Sequence, residues 1–288
     1  MRGIAVKFNI IGGGRLGKTI AQTLHGLDGV NLAAICSEKY LNAEMAIAQI
    51  GSGIAVADLN KLPFADLTFI TTPDDRIAQL AQYLAQEKII APQTIVAHCS
   101  GVLPSTILTP LKELGCQIAS IHPLKAFRWG NPDKAAFRGC DCVIEGDEGA
   151  VEKITSLFKR LEARVIPIKA ESKTLYHAAA VIASNYLLTL AAAAIELFDN
   201  AGIPEDIAKQ MVVNLMTSSL GNIQQTANLP EALTGPLQRG DLNTLKMHLN
   251  ALPRGEIKDL YCSAGLATLP LTTLSNEQKL QVQALLGD

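Results

Sequence analysis

The chain has 288 residues, 48% of them hydrophobic, with a mean hydropathy of +0.21, which is enough apolar material for one large or two moderate packed domains. Its 25 basic and 27 acidic residues leave a net charge of −2 and no basic run, which argues against nucleic acid or an anionic membrane as a partner. No apolar stretch is expected to reach the ~18 residues of a membrane span, the N-terminus lacks a signal-peptide pattern, and the six cysteines show neither C-x-x-C nor zinc-type spacing, so free thiols in a reducing cytoplasm and no metal site are expected.

Residues 5–11 (AVKFNII) read as a buried first strand. They lead into GGGRLGKT at 12–19, which satisfies two nucleotide-binding patterns at once. Gly12, Gly14 and Gly17 fit the dinucleotide fingerprint G-x-G-x-x-G; Gly12, Gly17, Lys18 and Thr19 fit G-x-x-x-x-G-K-[ST], the triphosphate loop. The first reading needs a glycine free to turn tightly, one open to the diphosphate and one that lets the helix pack closely. A helix from about Arg15 to Leu24 then points its positive end at the phosphates, with Arg15 and Leu16 beside the cofactor. The triphosphate reading needs a magnesium-binding acid at another strand end. The nearest candidate strand ends in TTPDD, with Asp74 displaced past a proline, so the dinucleotide is favoured.

A second strand at 30–36 (VNLAAIC) ends at Ser37, where the ribose-reading residue of a βαβ unit belongs. NAD enzymes usually carry a carboxylate there. A hydroxyl, with Lys39 and Arg15 as charge partners, favours NADP, with NAD as the alternative. Glu38 reverses that preference if the register is off by one, and Ser37 can also be a plain turn residue.

Further strands are expected at 54–57, 67–72, 94–98, 117–121, 141–145 and 164–168, with helices between several of them, as at 75–86 and 149–161. This alternation predicts a doubly wound, mostly parallel sheet, the last strands running antiparallel or extending one edge. Thr72 and Pro73, in TTPDD, are expected on the adenosine or ribose side; the alternative is a loop in which Asp74 caps a helix. After about Pro167 the pattern becomes all-helical. Residues 172–201 contain no glycine or proline and read as one long helix, buried on several sides and suited to a homodimer interface. Pro204 starts another helix, with Glu205 and Asp206 in its first turn. Asp241 caps a helix at about 242–251, and Ser275 with Gln278 forms a capping box for a final helix. The expected domains are 1–168, binding the nucleotide, and 169–288, helical.

The layout resembles the superfamily of NAD(P)-dependent reductases with a Rossmann domain and a helical C-terminal domain, which includes pyrroline-5-carboxylate reductase, ketopantoate reductase and the β-hydroxyacid dehydrogenases. More closely, it resembles a bacterial Rossmann-like family whose C-terminal part is a domain of unknown function. The resemblance is carried by GGGRLG at 12–17, HCSG at 98–101, HPLKAF at 122–127, YHAAAVIASNY at 176–186 and ALTGPLQRGD at 232–241. It implies a Rossmann-type α/β fold followed by an all-α domain. The dehydrogenases carry a lysine on the long helix with an asparagine pair one turn on. Here the matching positions are Val181, Ser184 and Asn185, so a different acid is required.

His177 is the first candidate for that acid, on one helical face with Val181 and Ser184, with Asn185 at its edge and Lys173 a turn earlier. The alternative is a core histidine bonded to a carbonyl. HCSG follows a strand end, where ligands bind in open α/β sheets, and brings His98, Ser100 and Gly101 toward the nicotinamide. Ser100 is expected to hold a substrate carboxylate or carbonyl; a strand-end turn is the alternative. His122 and Lys125 end the next strand, as a second imidazole and an anion contact, or as a turn fixed by Pro123. Arg239 can clamp a carboxylate through paired hydrogen bonds. The expectation is a reductase of a small carbonyl or imine compound bearing a carboxylate, with catalytic His177, Asn185 and Ser100. A non-catalytic NADP-binding or redox-sensing protein and a triphosphate-loop nucleotidase are the competing readings.

Overall fold

The computed structural model describes residues 5–127 and 133–287. Eight strands form one sheet: β1 (Val6–Ile11), β2 (Val30–Cys36), β3 (Ile54–Val56), β4 (Leu67–Ile70), β5 (Ile95–His98), β6 (Gln117–Pro123), β7 (Asp141–Gly146) and β8 (Arg164–Pro167), in the order β3-β2-β1-β4-β5-β6-β7-β8. All neighbours pair in parallel except β6 and β7, so the last two strands run against the rest. The order reverses between β1 and β4, and in sheets of this kind the ligand crevice opens at the carboxyl ends of the strands flanking that reversal.

The helices of the sheet region are α1 (Arg15–His25), α2 (Tyr40–Ile50), α3 (Asp74–Gln86), the single turn α4 (Thr109–Lys112) and α5 (Glu148–Arg160). Strand residues alternate between two apolar layers. Phe8, Ile10, Leu67 and Phe69 pack with α1 and α5 residues such as Ile20, Leu24 and Phe158, while Ile11, Ile70 and Val96 pack on the other face with Ile77 and Leu84 of α3. Burying such side chains is worth about 1.5–3 kcal/mol each, which makes this double layer a rigid base for the loops above it.

The remaining helices are α6 (Lys173–Asn200), α7 (Glu205–Gln225), α8 (Leu229–Ala232), α9 (Pro236–Arg239), α10 (Leu242–Ala251), α11 (Glu256–Thr268) and α12 (Asn276–Gly287). Asp241 caps α10 by accepting from the Thr244 amide at 3.1 Å, and Ser275 and Gln278 exchange the two bonds of a capping box ahead of α12. Leu245, Leu269, Val282 and Leu286 form a small separate core. The chain divides into two compact units, residues 1–182 and 183–288. The division falls inside α6 rather than at 168, because the first turns of α6 pack on the strand ends of the first unit.

Two expectations about α6 are corrected. Lys173 is its one buried residue, and Leu175, Ile182 and Leu188 are exposed, so the helix is not covered on several sides by its own chain. The segment Ala170–Asn200 is also long and apolar enough, by length and composition, to cross a membrane. Scattered Ser184, Asn185 and Thr189 interrupt any continuous apolar run without lowering the average enough to prevent this.

Candidate functional site

The three glycines of the first loop have three different physical reasons. Gly12 has φ +119°, and a Cβ there would lie 2.7 Å from the Thr71 carbonyl carbon, just past the neighbouring strand β4. A Cβ on Gly17 would run into the Gly12 carbonyl oxygen, so glycine lets α1 start against the loop. Nothing lies within 4 Å of a Cβ built on Gly14, which precedes α1 with no side-chain cap. No side chain caps the first amides of α1, and a helix start of this kind can cradle an anion. Thr19 does not suit magnesium: it is buried, and its hydroxyl donates to the Arg15 carbonyl oxygen at 2.8 Å.

Beside this loop lies a cleft of about 350 Å³, lined in part by Gly12, Ser37, Glu38, Thr72, Pro73 and Arg76. Ser37 follows β2 and sits 3.1 Å from where a Gly13 Cβ would be, which puts it beside the glycine loop. The Thr72 hydroxyl is buried without a partner. A ribose with its phosphate bridge fits these features: open amides, an unsatisfied hydroxyl and a small polar side chain at the strand end. The Arg15 guanidinium donates to the Phe127 carbonyl oxygen at 2.9 Å, Lys39 does not line the cleft, and Arg76 does. Leu16 is half-buried and packs against the core under α1. Asp74 is not the cap of α3. It lies in the first turn after Pro73, and its carboxylate accepts from Ser100 Oγ at 2.8 Å.

The carboxyl ends of β5 and β6 carry a second cluster, joined by the first turns of α6. The Lys173 ammonium is buried and donates to the Ser100 carbonyl oxygen at 2.7 Å and to Ser120 Oγ. Burial pushes its pKa down to about 8, against the opposing pull of Glu145, Cys99 and Asp74. Glu145, also buried, accepts from the amide and hydroxyl of Ser105 at 2.6 and 2.7 Å. The loop from His98 to Ser105 is therefore pinned at each end and in the middle.

His122 and His177 meet edge to face with ring centroids 5.7 Å apart, and Tyr176 bonds His122 Nδ1 at 2.8 Å. Gly101 is what allows this: a Cβ there would run into His177 Nδ1 and lie 2.9 Å from His122 Cε1. His177 Nδ1 is buried with no partner among the described residues. Burial, aided by the nearby His177 and Lys173, pushes the His122 pKa down to about 4, so the ring is neutral at pH 7. Burial likewise pushes the Tyr176 hydroxyl up.

The expected substrate contacts in the HCSG loop are already committed. His98 is fully buried; its Nδ1 accepts from the Ser100 amide at 3.2 Å, so the Nε2 proton faces the Pro104 carbonyl oxygen, also at 3.2 Å. Burial, then the Lys173 charge, holds its pKa near 4. Ser100 Oγ donates to Asp74 and accepts from the Val102 and Leu103 amides, which uses its one proton and both lone pairs. These two side chains shape the loop instead of reaching beyond it. Lys125 donates to the Ala136 carbonyl oxygen at 2.6 Å. Ser184 and Asn185 lie in the second unit on α6, and Arg239 ends α9 there. Sequence reasoning named Lys173 only as an assistant and missed Glu145 and Arg76. A lysine opening an apolar helix and a glutamate inside an apolar strand are the signals that could have singled out the first two.

Comparison with known proteins gives two family matches: a Rossmann-like domain over residues 1–123, and the domain of unknown function DUF2520 over residues 140–268. No match was found among curated proteins. Solved structures match over nearly the whole chain. Protein TM1727 from Thermotoga maritima is 23% identical, with 96% of this chain and 98% of that chain covered and a TM-score of 0.69. Protein BF3122 from Bacteroides fragilis is 19% identical, with 98% of each chain covered and a TM-score of 0.71. Plasmodium falciparum pyrroline carboxylate reductase, solved with NADP bound, is 10% identical, with 99% of each chain covered and a TM-score of 0.58. At these identities the likeness establishes the fold, and oxidoreductases are among those that share it.

Proposed function

We propose that this chain, a Rossmann-like domain joined to a DUF2520 domain, is an NADPH-dependent reductase of a small carbonyl or imine compound bearing a carboxylate. The observation that carries the reading is the pairing of two features at the carboxyl edge of one sheet. The glycine loop at Gly12–Gly17 suits an anion, and buried Lys173 stands with half-buried His122 and His177 at the ends of β5 and β6. Gly12, Gly14, Gly17, Ser37, Thr72 and Pro73 would hold the dinucleotide, which supplies hydride when bound.

The chain's own residues do the rest. His177 is assigned the proton transfer to the reduced oxygen or nitrogen; its Nδ1 is packed against Gly101, so the transfer would use Nε2. Neutral His122, bonded to Tyr176, packs against it and fixes its orientation. Lys173 and Asp74, through the backbone and hydroxyl of Ser100, keep the Gly101 turn in place. Ser184, Asn185 and Arg239, on the second unit, are kept as candidate substrate contacts, since a guanidinium can grip a carboxylate through paired bonds. The exposed apolar residues of α6 suit a homodimer, and six unpaired thiols suit a reducing cytoplasm.

Screening small oxo and imino acids for NADPH oxidation tests this. Turnover that falls at least tenfold in His177→Ala with cofactor affinity unchanged is expected; unchanged turnover would remove His177 as the acid. A non-catalytic cofactor sensor is the second reading, favoured by the internal commitment of Ser100 and His98. Tight NADPH binding without turnover on any compound would establish it.

A further inference from the structure

The adenosine-side cleft holds a cation that the phosphate-loop motif does not include. Its apolar part is formed by residues such as Leu59, Leu80 and Tyr83, a surface suited to the flat face of a purine. Its polar part brings one carboxylate, Glu38, and one guanidinium, Arg76, to the same opening as Ser37. Arg76 stands in the first turn of α3, where the helix's positive end favours an anion and the carboxylates of Asp74 and Asp75 oppose it. Its one ion pair among the described residues, with Asp75 at 3.8 Å, joins side chains that are 60% and 76% exposed. Such a pair is weak and readily exchanged for a better anion. Ser37, nearest the glycine loop, brings no negative charge to the ribose, and the Thr72 hydroxyl is buried without a partner.

We infer that Arg76 is the residue that reads a 2′-phosphate on the bound adenosine, and that it sets the preference for NADPH over NADH. The inference rests on the nucleotide-binding reading above and deepens it. A planar guanidinium can grip a phosphate through two parallel bonds, which a lysine or a hydroxyl cannot match. Glu38 lines the same cleft, so a carboxylate reading the ribose is the rival outcome that the test must separate.

The test is calorimetric titration of the whole protein with adenosine 2′,5′-bisphosphate and with 5′-AMP, which differ only in the 2′-phosphate. The wild type is expected to prefer the bisphosphate by about 10- to 100-fold, the range for a charge-assisted contact. Arg76→Gln should remove most of that preference and leave 5′-AMP affinity unchanged; Arg76 is exposed, so the variant should fold. A preference that survives in Arg76→Gln, or is absent from the wild type, overturns the assignment. So does a wild-type preference for 5′-AMP that Glu38→Gln abolishes, since a carboxylate would then be reading the ribose. If NADH binds and the preference is absent, the Arg76 assignment alone falls. If neither fragment and neither dinucleotide binds, the nucleotide-binding reading falls with it.

Discussion

Replacing Lys173 by methionine isolates the cost of a buried ammonium. Burial holds its pKa at about 8 instead of 10.5, and a tenfold loss of proton affinity is worth ~1.36 kcal/mol, so keeping the charge buried costs about 3 kcal/mol at neutral pH. The residue is 1% exposed, so solvent does not screen that cost away. Methionine removes it but leaves the Ser100 carbonyl and Ser120 hydroxyl without their donor, a loss of about 1–3 kcal/mol that Ser120 can partly repair by donating to Ser100 itself. The two effects nearly cancel at pH 7, and the variant should lie within about 2 kcal/mol of wild type. The pH dependence does not cancel. Between pH 8 and 10.5 the unfolded lysine keeps a proton that the folded one has lost, so wild-type stability must rise with pH relative to Lys173→Met. The difference between the two proteins should grow by about 3 kcal/mol across that window. Urea unfolding of both proteins at half-unit steps from about pH 7 to 10.5 measures it, and the subtraction removes the titrating groups that do not interact with Lys173. A flat difference would show that the folded lysine titrates normally and refute the buried network.

Other outcomes follow from the same geometry. His98, held near pKa 4 against 6.5 unfolded, contributes stability above pH 6.5 that is lost as pH falls toward 4; His98→Gln should remove about 3 kcal/mol of that acid sensitivity in urea titrations. Gly101→Ala should cost about 1–3 kcal/mol by overpacking against His177 and His122, and should shift both imidazole signals in NMR spectra. Asp241→Ala should lower stability by about 1 kcal/mol through loss of the α10 cap, with no effect on nucleotide binding.

Much of the fold was legible because its signals are local. The β2 limits, the glycine loop, the caps at Asp241 and Ser275 and the end of α6 near Gly202 all rest on residues within one turn of each other. Helix α2 was not legible, because it buries only Ala43 and Ala46 and so shows little apolar rhythm. Helix α11, which buries nothing, escapes for the same reason. In the site, His177, His122 and Gly101 were each named from strand-end or helix position, and the structure brings them together. Their partners were not legible. Lys173 and Ser100 are 73 residues apart, Ser105 and Glu145 are 40, and which hydroxyl is already committed depends on contacts at such separations. Arg76 gives no signal of its own because it sits on an exposed helix turn, and only the cleft shows what it faces.

Dinucleotide binding at the opening loop is the claim on which the rest stands, and Gly14 gives the most direct test. A Cβ there meets no atom of the described residues within 4 Å beyond its chain neighbours, and its backbone is extended with negative φ, so Gly14→Val should fold normally while placing bulk beside the start of α1. Titration should show one NADPH bound per wild-type chain, indifference to magnesium–ATP, and at least a tenfold loss of NADPH affinity in Gly14→Val at unchanged thermal stability. Equal NADPH binding by both proteins, or binding of magnesium–ATP without NADPH, would contradict the account.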